Sequence, residues 1–280
     1  MTGELRGELR GFPPGTLPGT LHLAVRSIGL LGPGLAGWQA SVALLREPAR
    51  WRSQATVLPP PGRLPPTERR RAGAVVKASV VVADEACTAA GLDPAGLATV
   101  FTSSTGDPLN CHLLCEALAT AERMVSPTRF TNSVHNAAAG YWHIAAQSRQ
   151  PSTSLAAFDA SFAAGLLEAA AQCLASGEPV LLVACDVPYP EPLHALRPVA
   201  DVFALAMVLA PAGTQGLQIE AAGDAPPDAC AHAGLEALRR GIPVARALPL
   251  LQLLAAGSDA ACVIEAQPGQ SMRLRLRLDI

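Results

Sequence analysis

Asp159 stands where a short strand expected over 153–158 runs straight into an alanine-rich helix through Ala160 and Ser161. Such a corner is where α/β enzymes place a nucleophile, because the side chain points off the sheet edge toward the positive end of the helix. Two chemistries suit an aspartate there: a carboxylate nucleophile, or a helix N-cap contributing about 1 kcal/mol. An acyl anhydride made from a thioester lies uphill and no base is patterned beside Asp159, so the cap is the expectation. His135 with Ser133 or Ser161 would make a triad with Asp159, but the chain has no G-x-S-x-G elbow. His135 therefore reads as a helix-surface or interface residue beside Asn136, and Tyr141-Trp142-His143 as a packed helix face.

Other reactive side chains carry less. Cys111 and Cys115 lie four apart with His112 between them, but no second pair has ligand spacing, so no metal is expected. The seven cysteines are odd in number and scattered among apolar neighbours, which suits reduced core thiols in a cytoplasmic protein. Glycine-rich phosphate loops are missing from the sequence, and no cofactor is expected. In SMRLRLRLD, Arg273, Arg275 and Arg277 alternate with apolar residues and read as a solvated sheet face.

The elements that must position these groups follow from periodicity. A first strand is expected over 21–31 and a tryptophan-containing helix over 38–45, with proline-dense loop over 48–66. In 72–92 the β-branched residues suggest a strand, but Val75, Val76, Ser79, Val82, Ala83, Ala86 and Cys87 share one face of a 3.6-residue period, so it is a helix with Gly91 as its expected C-cap. A strand follows over 97–103, then a helix over 108–124 capped by Asp107 with Pro108 in its first turn. The central stretch gives helix 133–146, strand 153–158 and helix 160–175; buried strands over 179–188 and 202–210 come next. The tail offers strands over 216–221, 260–266 and 272–278 and a helix over 244–256. This is an α/β chain with three expected parts: a disordered leader (1–20), one α/β half (21–212) and a shorter C-terminal segment packing on the same domain (213–280).

With 280 residues, 50% hydrophobic and 16% charged, the chain can bury a large core. Its net charge of −2 offers a phosphate backbone nothing, so nucleic acid is not an expected partner. No run approaches the ~18 apolar residues of a membrane span.

Over 125–168 the sequence resembles the nucleophile region of β-ketoacyl synthases of the thiolase fold. Ser126-Pro127, Asn136, Ala139-Gly140 and the strand-to-helix corner all match the family's pattern. Where the family carries its acyl-accepting cysteine this chain has Asp159, and Phe158 replaces a small alanine. The family's two histidine segments, E-x-H-G-T and G-H-x-x-G-A-A-G, are missing, and His194 and His232 sit in other contexts. The resemblance implies a thiolase-like fold with one complete N-terminal half and a truncated C-terminal half. It also implies a non-catalytic subunit of chain-length-factor type, as in aryl polyene and type II polyketide systems, forming a heterodimer with an active synthase and meeting its acyl carrier protein. By position, Arg129, Phe130 and Val134 would border the partner's acyl tunnel, His135 and Asn136 would lie at the interface, and Phe158 and Phe162 would plug the chain's own former pocket. An active acyltransferase with an unusual nucleophile and a stand-alone carrier-protein-binding scaffold remain as alternatives.

Overall fold

The computed structural model describes residues 19–212 and 216–278; residues 1–18 of the expected leader lie outside them. In chain order the elements are β1 (Leu21–Gly32), β2 (Leu35–Ala36), α1 (Trp38–Arg46), α2 (Pro66–Arg71), α3 (Ala74–Ala90), β3 (Ala98–Thr102) and α4 (Pro108–Ala119). Next come α5 (Pro127–Thr131), α6 (Ala137–Ala146), β4 (Ser152–Leu155), α7 (Ser161–Ser176), β5 (Val180–Asp186), α8 (Leu193–Leu196) and β6 (Phe203–Pro211). The tail adds β7 (Gly216–Gly223), α9 (Ala233–Gly241), α10 (Leu248–Ala256), β8 (Ala260–Gln267) and β9 (Gln270–Arg277).

All the described strands share one sheet, in the order β4-β3-β5-β6-β1-β7-β9-β8, with β2 folded back on β1. The β4-β3-β5 end is parallel and every other pairing is antiparallel. All seven residues of β5 are buried because helices cover both faces of the sheet. Leu182 and Ala184 point to the layer containing Phe162, Leu166 and Leu251, whereas Leu181, Val183 and Cys185 point to the layer containing Val76, Val82 and Trp142. Helix α3 lies so close to β1 that a Cβ on Gly29 would stand 2.0 Å from the carbonyl oxygen of Val82. The expected face of α3 is buried throughout, and Gly91 ends the helix in the left-handed region at φ 66°.

Several expected boundaries shift, each for a local reason. The helix expected over 108–124 stops at Ala119, where the Thr120 hydroxyl donates back to the Ala117 carbonyl and accepts from the Arg123 N–H. The helix expected from 133 starts only at Ala137: 127–131 forms its own short helix, capped by Ser126, and Ser133 donates its hydroxyl to the Phe130 carbonyl. The strand expected over 153–158 is four residues long because Phe158 turns into the left-handed region at φ 52°. The helix expected over 244–256 is a 3₁₀ turn at Val244–Ala247 followed by α10, with Pro249 in its first turn. Helix α9 falls in the region read as loop; it is a short amphipathic turn closed by a Glu236–Arg239 pair. Cys111 and Cys115 are exposed on α4 rather than core thiols, while the other five cysteines are buried.

Candidate functional site

The corner after β4 is built by backbone and hydroxyl bonds. Ser161, the first residue of α7, is fully buried; its hydroxyl accepts from the Ala157 N–H (3.0 Å) and donates to the Phe158 carbonyl (2.6 Å). The Thr102 hydroxyl at the end of β3 donates to the Ser161 carbonyl (2.8 Å), tying the helix start to the sheet. Ser161 is thereby a structural residue. Asp159 does not cap α7, correcting the expectation: the N-cap position belongs to Ala160, which makes no side-chain bond to the helix.

The Asp159 carboxylate is held instead by two arginines. Its Oδ1 accepts from Arg197 (2.6 Å) and its Oδ2 from Arg246 (2.9 Å). Arg246 also pairs with Glu265 on β8, and Arg197 donates to the Ser104 hydroxyl (2.7 Å). The Arg197 guanidinium lies 3.9 Å from the centre of the Phe158 ring, a cation–π contact that offsets strain at this left-handed residue. The position implied for the family's nucleophile is therefore an ionic junction joining the corner, the 187–199 loop and the tail. A carboxylate with each oxygen ion-paired to a guanidinium is a weaker nucleophile toward a thioester, because the cations stabilise the charge it would have to give up.

Behind it, Asp186 at the end of β5 forms a second junction and is wholly buried. Its Oδ1 accepts the N–H groups of Ser104 (2.7 Å) and Thr105 (3.0 Å) and both their neighbouring hydroxyls, Ser103 (3.2 Å) and Thr105 (3.3 Å). Its Oδ2 accepts the N–H of Val244 (3.0 Å), where the tail re-enters the core. Burial pushes this carboxyl up, and the hydrogen bonds from Thr105, Ser104, Val244 and Ser103 oppose the shift.

The triad residues do not converge. The His135 Nε2 lies 3.4 Å from the Ser103 carbonyl, Ser133 bonds Phe130, and Asp159 is taken by its arginines. The Tyr141-Trp142-His143 face packs as expected: Trp142 is fully buried, Tyr141 donates to the Asn132 Oδ1 (3.1 Å), and the His143 Nε2 lies 3.2 Å from the Thr99 hydroxyl. Among the described residues no group of His, Cys, Asp and Glu is placed to hold a metal, and no helix is long and apolar enough to cross a membrane.

The residues implied for a tunnel or interface divide into two sets. Phe130 (69% exposed), Val134 (53%) and Phe158 (64%) are large apolar side chains turned to solvent, and His135 and Asn136 are exposed beside them in sequence. Arg129, also exposed, lines a cleft with Arg70 and Arg71. Phe162, in contrast, is 1% exposed and packed in the core, so of the two phenylalanines only Phe162 fills interior space and Phe158 stands outside under Arg197. The sequence reading missed Arg197, Arg246, Glu265 and Asp186. A signal existed for two of them: Arg246 is a lone charge in the apolar run 242–256, and Asp186 ends an apolar strand, and buried charges require partners.

No curated protein matches the chain. Among solved structures, it is similar to a chain of the ketosynthase (ApeO) in complex with its chain length factor (ApeC) from Xenorhabdus doucetiae, with TM-score 0.71 and 23% identity over 91% of this chain and 99% of that one. It is similar also to a chain of the ishigamide ketosynthase/chain length factor, with TM-score 0.66 and 15% identity over 92% and 99%. A third is a chain of AntDE:AntF, a type II PKS acyl-carrier protein in complex with its ketosynthase, with TM-score 0.69 and 12% identity over 92% and 99%. The fold is that of the thiolase-like ketosynthases. Residues 43–264 match the family described as "Beta-ketoacyl synthase, N-terminal domain", and the chain belongs to that family.

Proposed function

We propose that this chain is a non-catalytic, chain-length-factor-like subunit that pairs with an active β-ketoacyl synthase and shapes its acyl tunnel in aryl polyene or type II polyketide biosynthesis. The carrying observation is the Asp159 junction: where the family's nucleophile would stand, a carboxylate is bridged by Arg197 and Arg246. Decarboxylative condensation needs an acyl acceptor and groups that stabilise the enolate. This chain offers a neutralised carboxylate and lacks both histidine segments.

Two surface features support pairing. Among the described residues β4 is one of the two edge strands of the sheet, with β8 the other, and no strand pairs with its outer side, so a second strand is a natural cover. Phe130, Val134 and Phe158 are exposed beyond what a lone chain needs. Two of the named structural neighbours are ketosynthase–chain length factor complexes, and the third is an acyl-carrier protein in complex with its ketosynthase. On this reading the 21–212 part is the complete half, 213–280 is a shortened second half, and the pair works in the cytoplasm beside its carrier protein. The junction argues against the unusual-nucleophile alternative, and the exposed edge against a stand-alone scaffold.

Co-expression with a full-length synthase tests the reading. The expected result is a 1:1 complex on size exclusion, and no ketoacyl product when the purified chain alone meets acyl and malonyl carrier proteins. A monomer that ignores the synthase, or product above a heat-killed control, would overturn it.

A further inference from the structure

A second concave site lies away from the Asp159 junction. A cleft of about 550 Å³ is walled by Arg70 and Arg71 on one side and by Ser126, Thr128 and Arg129 on the other. That volume falls within the roughly 300–1,000 Å³ typical of small-molecule sites. Its charge is unbalanced. Among the described residues the guanidiniums of Arg70 and Arg129 make no hydrogen bond or ion pair, and Arg71 reaches only Glu68, at 3.6 Å. The one acid in the lining, Asp107, caps α4 through the Asn110 N–H; burial pushes its carboxyl up, and that hydrogen bond and the charge of Arg129 oppose the shift.

The walls are fixed from inside the chain. Buried Asn132 donates its Nδ2 to the Arg71 carbonyl (3.0 Å) and is itself held by the Tyr141 hydroxyl, while buried Asn110 donates its Nδ2 to the Arg129 carbonyl (2.8 Å). Two buried amides thus pin the two arginine-bearing segments at a set separation. Between them, Gly73 leaves no room for a side chain, since a Cβ there would meet the Asp107 carboxylate at 2.3 Å. Ala72, Ala74, Leu109, Val187 and Pro188 supply an apolar floor.

We infer that this cleft binds a small organic phosphate, its dianionic head between Arg70 and Arg129 and its uncharged body on the floor. Three arginines, Arg70, Arg71 and Arg129, against one acid in the lining suit a dianion with several acceptor oxygens, because each guanidinium fork can take two of them and a monocarboxylate satisfies only one. The Ser126 and Thr128 hydroxyls add donors on the same wall. The inference rests on contacts within the chain and needs no synthase; because Arg129 is also placed beside the partner's acyl tunnel in the proposed pair, the test uses this chain alone.

Titration calorimetry at pH 8 on the protein as isolated tests it, with phenyl phosphate, inorganic phosphate and phenylacetate as probes. Phenyl phosphate is expected to bind saturably at one site, at least tenfold tighter than phenylacetate and measurably tighter than inorganic phosphate. Arg70→Gln and Arg129→Gln, singly and together, should weaken it, the pair by at least tenfold, whereas Arg50→Gln, at a surface arginine paired with Glu47, should leave it unchanged. The single variants keep the test decisive should the double variant fold poorly. No saturable binding, equal binding of phenylacetate or inorganic phosphate, or affinity retained without Arg70 and Arg129 would overturn the inference.

Discussion

Replacing Asp159 by alanine would leave Arg197 and Arg246 converging on an empty corner. Arg246 keeps Glu265, and Arg197 keeps the Ser104 hydroxyl and the Phe158 ring, so neither becomes wholly unpaired. The side chains are 34% (Asp159), 26% (Arg197) and 20% (Arg246) exposed, between the surface and the buried case. Surface pairs contribute about 0.2–1 kcal/mol, and breaking a fully buried pair costs about 3–5 kcal/mol. Two pairs at intermediate exposure place the loss at about 1–3 kcal/mol, a fall in Tm on the order of 5 °C for a chain of this size. Asp159→Asn keeps the shape but not the charge and should lose a similar amount. A double-mutant cycle with Arg197→Ala should return a coupling above about 0.5 kcal/mol. Asp159→Cys should match Asp159→Ala in stability and, assayed with malonyl carrier protein, release no carbon dioxide above it. Calorimetric or urea unfolding within about 0.5 kcal/mol of wild type for Asp159→Ala would refute the junction, and decarboxylation by Asp159→Cys would reveal a catalytic set in the tail.

Gly29→Ala should be far more damaging, because its Cβ would stand 2.0 Å from the Val82 carbonyl oxygen and α3 must move off β1; a loss of about 3 kcal/mol or more, or failure to yield folded protein, is expected from urea melts. Phe130→Ala, at a 69% exposed site, should change stability by no more than about 0.5 kcal/mol yet lengthen the products of the reconstituted pair by mass spectrometry; unchanged lengths in intact complexes for Arg129, Phe130 and Val134 variants would remove the tunnel role. The Arg239 guanidinium holds the Glu236 carboxyl down to about 2, so this group's stabilisation is full above its ordinary value of 4.5 and is lost as pH falls toward 2. Carboxyl NMR should show that low midpoint, and Glu236→Gln should flatten the corresponding part of the acid unfolding curve.

Local rules determined much of this protein before any coordinates. Period and caps alone placed α3 with Gly91, α4 with Asp107, and the continuously apolar β5 and β6, because such signals depend on neighbours a few residues apart. The order of residues around Asn136, Gly140 and the corner also carried the family. Tertiary structure decided the site. Asp159 reads as a helix cap when only Ala160 and Ser161 are considered; 38 residues further on Arg197, and 87 residues further on Arg246, outbid that local role. Asn110 and Asn132 likewise look like ordinary polar positions until folding brings α2 and α5 together and makes their amides the pins of a cleft. Ion pairs and buried amides find partners across the fold, at separations that helix and strand periodicity do not encode, and so the elements were legible in the sequence while the junctions between them were not.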